Sequence, residues 1–139
     1  HPVAGLVLCY PVITAGPHAH NNSMFRLAGE HSTSKQRRPF SLEHGVGPHV
    51  PPCFLWHTQE DDSVPVENSM LFAATLLRYH IPVELHIFPF GCHGLSLATP
   101  ATEEILPHKH RVADPHIAHW PQLCREWMDN IIQKQEKRQ

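Results

Sequence analysis

Charge is scarce in this sequence. Only 17% of its 139 residues are Asp, Glu, Lys or Arg, against about a quarter in an ordinary soluble domain. The formal net charge is −2, which excludes the broad basic footprint of a nucleic-acid binder or of a protein held on anionic lipid. No apolar run approaches the roughly 18 to 20 residues needed to cross a bilayer. The opening His1-Pro2-Val3 lacks a starting Met and the basic and apolar regions of a secretory leader, so a preceding segment is expected. The expectation is a soluble protein, cytoplasmic or secreted, with the compartment not fixed by these residues. The four cysteines, Cys9, Cys53, Cys92 and Cys124, form no C-x-x-C pair, which removes the zinc ribbon and the thioredoxin-type redox motif. Buried free thiols are the expectation.

Proline and histidine, by contrast, are abundant, at 14 residues each. The prolines predict much loop, and 41% hydrophobic content supplies one core for one domain over residues 1–139. The almost continuous apolar run over 3–10, closed by Pro11, reads as a strand buried on both faces of a parallel sheet. Residues 14–52 are rich in Gly, Pro, His and Ser and form a loop-rich excursion, with one helical turn near Met24 to Ala28. Within it Lys35, Arg37 and Arg38 read as a solvated loop rather than a phosphate site.

A second apolar run at 53–56 is followed by the polar segment His57 to Asp62, a strand with a loop behind it. Over 67–79, Met70, Ala73, Ala74 and Leu77 recur at helical spacing, widened by Phe72 and Leu76. Val83, Leu85 and Ile87 alternate with polar or larger neighbours before Pro89 and Gly91, giving a third strand. After a second irregular stretch, Trp120, Leu123, Cys124, Trp127, Met128 and Ile131 share one face of a final helix, and residues 133–139 are a polar tail. Strands separated by a helix imply a parallel α/β sheet with right-handed crossovers. Chemistry in such sheets sits beyond the carboxyl ends of the strands, where the loops bearing Asp61 and His93 are expected.

A carboxylate loop after one strand and a Gly-flanked His loop after the next match two-thirds of a Ser-Asp-His relay. The imidazole takes a proton from the nucleophile and returns it to the leaving group, while the carboxylate fixes the tautomer. Gly91 and Gly94 allow the backbone to bend around His93. On local sequence alone Asp61 reads equally well as a turn residue capping the next helix, a role open to Asp62 or Ser63, and His93 as an ordinary loop histidine. Cys92 reads as a partly buried inert thiol. The spacings His18-x-His20, His108-x-His110 and His116-x-x-His119 suggest metal ligands but lack carboxylate or cysteine companions. No metal and no cofactor is therefore assigned. Trp120 and Trp127 read as core, while Val64 and Leu95 lie near the two loops, within reach of an acyl group.

The segments PPCFLWHTQEDDSVPVENS, PVELHIFPFGCHGLSLA and PHIAHWPQLCREWM resemble the C-terminal half of bacterial α/β-hydrolases of the acetyl esterase and acetylxylan esterase type. GLVLCYPVITAG resembles their strand just after the nucleophile region, so the likeness covers nearly the whole chain and is weakest over 30–39. The resemblance implies the last three strands of that fold with flanking helices. His57 and Val64-Pro65, in an H-x-x-x-D-x-x-V-P pattern, place the acid at Asp61 rather than Asp62. Gly91-Cys92-His93-Gly94, as G-x-H-G, places the base at His93. The implied activity is a serine carboxylesterase acting on short acyl or acetyl esters, acetylated polysaccharide among them, with peptidases and thioesterases of the same fold as the nearest rivals.

One departure from that family is large. No G-x-S-x-G and no HGGG-like stretch occurs in the 139 residues, and in the family both lie upstream of the matching region. Ser23, Ser69 and Ser96 follow no strand-to-helix elbow. The expected partners are thus a small ester substrate and an N-terminal half, from the same gene or a second chain, that brings the serine and covers the open sheet edge. The competing expectation is an inactive fragment or a His-rich module that binds metal or protein.

Overall fold

The computed structural model describes residues 3–106 and 109–137. Its centre is a parallel three-stranded sheet of β1 (Leu6–Cys9), β2 (Cys53–Thr58) and β3 (Val83–Phe88), ordered β1-β2-β3. Every residue of β2 is buried, as its position between two parallel neighbours requires. The register sets Thr58 beside Phe88 and Cys9 beside Trp56, so the loops after β2 and β3 leave the same end of the sheet side by side.

Alternation along β2 divides the core in two. Cys53 and Leu55 face one way, packing with Ile13, Val46, Phe72, Leu76 and Ile81. Phe54 and Trp56 face the other way, packing with Phe88, Leu95, Ile117, Cys124 and Trp127. Helix α3 (Glu67–Arg78) covers the first face and α4 (Trp120–Glu136) the second, a helix-sheet-helix stack. Trp127 is buried, and Trp120 stacks on Trp56 at 5.3 Å; each fully buried side chain of this size contributes about 1.5–3 kcal/mol. Cys53 and Cys124 are buried, Cys9 and Cys92 partly so, and none of the four is in a disulfide.

Four sequence expectations need correction. Helix α3 has its predicted extent but buries a different stripe: Asn68, Ser69, Phe72, Ala73 and Leu76 face inward, whereas Met70, Ala74 and Leu77 are exposed. Asn68 turns the helix. Its Oδ1 accepts from the backbone N–H groups of Ile13 and Thr14, and its Nδ2 donates to the carbonyls of His18 and Pro65, so a polar side chain is fully satisfied inside. The excursion over 14–52 is more ordered than one turn. It holds α1 (Asn21–Ala28), anchored by buried Met24, and the short α2 (Ser34–Arg37), whose Thr33 and Gln36 form a capping box. The second irregular stretch contains an antiparallel pair, β4 (Glu104–Leu106) and β5 (Lys109–Arg111), tied by Arg111 to Glu104 at 3.3 Å. Helix α4 also runs into the supposed tail, to Glu136. Among the described residues no helix is long and apolar enough to cross a membrane.

Candidate active site

Asp61 and His93 meet above the carboxyl ends of β2 and β3. Past the strand ends the Gln59 N–H donates to the Phe88 carbonyl at 2.8 Å, which keeps the two loops paired for another step. The Thr58 hydroxyl then donates to the Gly91 carbonyl at 2.8 Å, and the Gly91 N–H donates to Glu60 at 3.2 Å. Gly91 itself has φ of +119°, and a Cβ there would lie 2.6 Å from Leu95 Cδ1. Only glycine makes this turn, and the turn delivers His93.

The carboxylate of Asp61 is saturated with donors. Oδ1 accepts from the backbone N–H groups of Ser63 at 3.0 Å and Val64 at 2.8 Å. Oδ2 lies 2.7 Å from His93 Nδ1 and 3.1 Å from His57 Nε2. Burial alone would raise the acid's pKa, but the hydrogen bonds from His57, His93 and Val64 outweigh it and hold Asp61 well below the ordinary carboxylate range. An ionised carboxylate only accepts, so His93 carries its proton on Nδ1 and leaves Nε2 to exchange one. The side chain of His93 is 32% exposed, that of Asp61 not at all: a buried anion orients an accessible imidazole. Asp61 caps the turn at Ser63 and Val64 with Oδ1 while Oδ2 faces His93; it does not cap α3, whose N-cap position is Val66 with no side-chain cap.

Two neighbours were not evident in the sequence. Tyr10, one residue past β1, has φ of +39° and sets its ring against the His93 imidazole, 4.9 Å between centroids and 70° between planes. Its hydroxyl bonds the Ser96 backbone, and burial raises its pKa; the Ser96 carbonyl in turn accepts from Trp120 Nε1 at 2.9 Å. The second neighbour, His57, is fully buried. The sequence marked it as part of a pattern; its i, i+4 spacing to Asp61 was the available signal for contact.

Other expected residues lie apart from this pair or serve otherwise. Val64 and Leu95 are each 2% exposed; Val64 packs beneath the loops, whereas Leu95 lines a cleft beside the His93 loop. Ser69 is buried against His57, Ser23 bonds His20, and Ser96 adopts φ of +58°. Lys35 and Arg38 are exposed, and Arg37 Nε donates to Ser32. His18 faces Glu67 at 3.8 Å, His116 packs against Phe88, and His119 bonds the Pro115 carbonyl; His108 lies outside the described residues. Among the described residues no three His, Cys, Asp or Glu side chains are grouped to hold a metal ion. A cleft of about 330 Å³ adjoins the His93 loop, lined by Glu60, Phe90, Gly91, Cys92 and His110. A larger one of about 890 Å³ opens beside β1 between Leu6, Val46, Val50 and Phe72.

A parallel sheet carrying an Asp-His pair on adjacent carboxyl-end loops defines an α/β-hydrolase. More narrowly, the chain belongs to the prolyl oligopeptidase family, whose sequence pattern matches residues 18–110. It is 48% identical over 94 residues to endo-1,4-beta-xylanase B of Butyrivibrio fibrisolvens, which is 68% of this chain and 15% of that protein. Among solved structures it is similar to an acetyl ester-xyloside bifunctional hydrolase from Caldicellulosiruptor lactoaceticus, with 41% identity and a TM-score of 0.79, over 92% of this chain and 42% of that one. A carboxylesterase from Lactobacillus plantarum gives 28% identity and a TM-score of 0.69, covering 91% and 44%. A sugar hydrolase from Lactococcus lactis gives 27% and 0.73, covering 94% and 49%. The chain spans less than half the length of each of these relatives.

Proposed function

We propose that this chain supplies the acid and the base of a serine carboxylic ester hydrolase acting on short acyl or acetyl esters, acetylated polysaccharide among them. The single observation that carries the reading is the 2.7 Å contact between Asp61 Oδ2 and His93 Nδ1, on loops that leave neighbouring parallel strands. In this scheme His93 Nε2 takes the proton of a serine hydroxyl as that oxygen attacks the ester carbonyl. The resulting imidazolium, paired with Asp61, gives the proton to the departing alcohol. Water then repeats the sequence on the acyl-enzyme. The likeness to a hydrolase described as acting on acetyl esters and xylosides supports the acetyl ester as substrate.

The serine comes from outside these 139 residues, on an N-terminal half of the same hydrolase or on a second chain. Supporting this, among the described residues β1 pairs with β2 alone, and apolar clefts open along both of its faces. One is the cleft beside Leu6; the other, of about 190 Å³, lies between Val7, Trp127, Met128 and Ile131. An edge of this kind is suited to receive a further strand with its flanking helices.

The test is reconstitution. The chain, alone and with a serine-bearing segment, is assayed on 4-nitrophenyl acetate and acetylated xylan and probed with a serine-directed phosphonate. Turnover and labelling only in the combined form support the reading, as does loss of turnover of about 10²- to 10⁴-fold in His93→Ala and Asp61→Asn. Ester hydrolysis that survives His93→Ala overturns it. A second reading, peptide bond hydrolysis, is favoured by the family to which the chain belongs. A peptide 4-nitroanilide turned over faster than the acetyl esters decides for it.

A further inference from the structure

We infer that His57 and Ser69 are a positioning pair, acting on the base through Asp61 by holding the end of the carboxylate that faces His93. The inference rests on the hydrolase reading above for its kinetic consequence and on geometry alone for the rest.

The side chain of His57 points from β2 toward α3, on the face it shares with Cys53 and Leu55. Its Nε2 lies 3.1 Å from Asp61 Oδ2 and 2.9 Å from the Val64 carbonyl oxygen. Both neighbours are acceptors, so Nε2 bears the ring proton and shares it between them. Nδ1 lies 2.8 Å from Ser69 Oγ on α3, and with the proton on Nε2 it accepts from that hydroxyl. Ser69 thereby fixes both the tautomer and the tilt of the ring. All three side chains are buried, in surroundings where such bonds are strong and an unmade one is costly.

A histidine that only tied β2 to α3 would be satisfied by Ser69 and the Val64 carbonyl. The third contact, onto the same Oδ2 that meets His93, serves no such purpose. Two backbone N–H groups pin Oδ1, yet the Oδ2 end can still swing about that anchor. Among the described residues His57 is its one donor besides His93. His93 changes protonation in each catalytic cycle and cannot be the fixed reference for its own partner. His57 supplies a reference that stays constant, because it is shut away from solvent and does not take part in the transfer. The arrangement parallels the groups that orient metal-binding histidines from behind, whose loss commonly costs about 10- to 100-fold.

The test compares Ser69→Ala, His57→Leu and His57→Gln in the 139-residue chain and in the reconstituted esterase. Nitrogen-15 labelling of histidine identifies the His93 Nδ1–H proton resonance, which lies downfield while that proton bonds to Asp61. The signal is expected to move upfield or vanish in Ser69→Ala and His57→Leu, and to return in His57→Gln, whose amide offers Oδ2 a donor. Turnover of a short-chain ester should fall about 10-fold in Ser69→Ala and about 100-fold in His57→Leu, with KM within about twofold and recovery in His57→Gln. Ser69→Ala removes a single oxygen and keeps the fold, so it decides the matter if His57→Leu does not fold. An unchanged His93 signal in folded Ser69→Ala overturns the inference, even if stability drops, because a purely structural role predicts that pattern. If the reconstituted protein hydrolyses no ester, the hydrolase reading fails, while the resonance still decides whether the pair positions Asp61.

Discussion

Tyr10 meets His93 edge to ring, with 4.9 Å between the ring centroids, and it does so from a backbone conformation that residues other than glycine seldom adopt. Such strain persists only where surrounding structure holds it, and it clusters at functional sites. Here the Trp56 ring, 5.0 Å away, and the Ser96 backbone hold it. The His93 imidazole is thus supported by a carboxylate through its nitrogen and by a phenol ring at its side.

Replacing Tyr10 should separate these two supports. Tyr10→Phe removes only the bond to Ser96 and is expected to cost about 1 kcal/mol of stability, with ester turnover within about threefold of the parent. Tyr10→Ala empties the space beside the imidazole and should cost about 2–3 kcal/mol, with turnover lower by at least 10-fold. Urea unfolding and ester kinetics on the reconstituted protein check both.

Gly91→Ala is expected to destabilise by about 2–3 kcal/mol and to impair the Asp61–His93 contact. The φ of +119° and the 2.6 Å approach to Leu95 act together, and the neighbour is the tip of a buried leucine. Gly29→Ala is the control, for its φ is also positive at +93° but nothing lies within 4 Å of the added carbon. It should cost about 1–3 kcal/mol through backbone strain alone and leave the His93 signal in place.

Stability should also respond to acid through Asp61. Its folded pKa lies below the unfolded value of about 3.9, so the unfolded chain binds more protons there and stability rises with pH. The contribution is fully present above about pH 5 and is lost as pH falls below about 4 toward the folded value. Asp61→Asn should lower stability at pH 6 and show a flatter decline between pH 5 and pH 2. Parallel curves for the two proteins over that window would falsify the assignment.

Thiol chemistry offers an independent check on packing. Burial pushes the Cys53 thiol up to about 11 and raises Cys124 as well. At pH 8 a disulfide reagent should therefore modify Cys92 first in the folded chain, and Cys53 and Cys124 only once urea has unfolded it. Mass spectrometry of the labelled peptides reads the order.

The strands β2 and β3 were legible because their apolar runs are bounded by prolines and polar loops, and the Asp61 and His93 loops were legible as the polar segments that follow. What escaped was set by partners distant in sequence. Asn68 and Ser69 look like surface residues of α3, yet the backbone at Ile13 and the ring of His57 draw them inside. The strands β4 and β5 are three residues each and carry Glu104 and Arg111, so no alternation announced them. Tyr10 read as the end of a strand, since a sequence does not display φ. Val64 and Leu95 lie near the two loops as expected, but that each is almost fully buried was not legible, because proximity in sequence carries no information about which side faces solvent.

The alternation along β2 has a consequence for how this region tolerates change. A slip of one residue against β3 would exchange the faces, pressing the indole of Trp56 against α3 and carrying His57 over to the α4 side. Single insertions or deletions within 53–58 should accordingly abolish folding and chemistry together. Length changes near the exposed Gly29 and Glu30 should be absorbed, because among the described residues no bond of Asp61 or His93 passes through that bend.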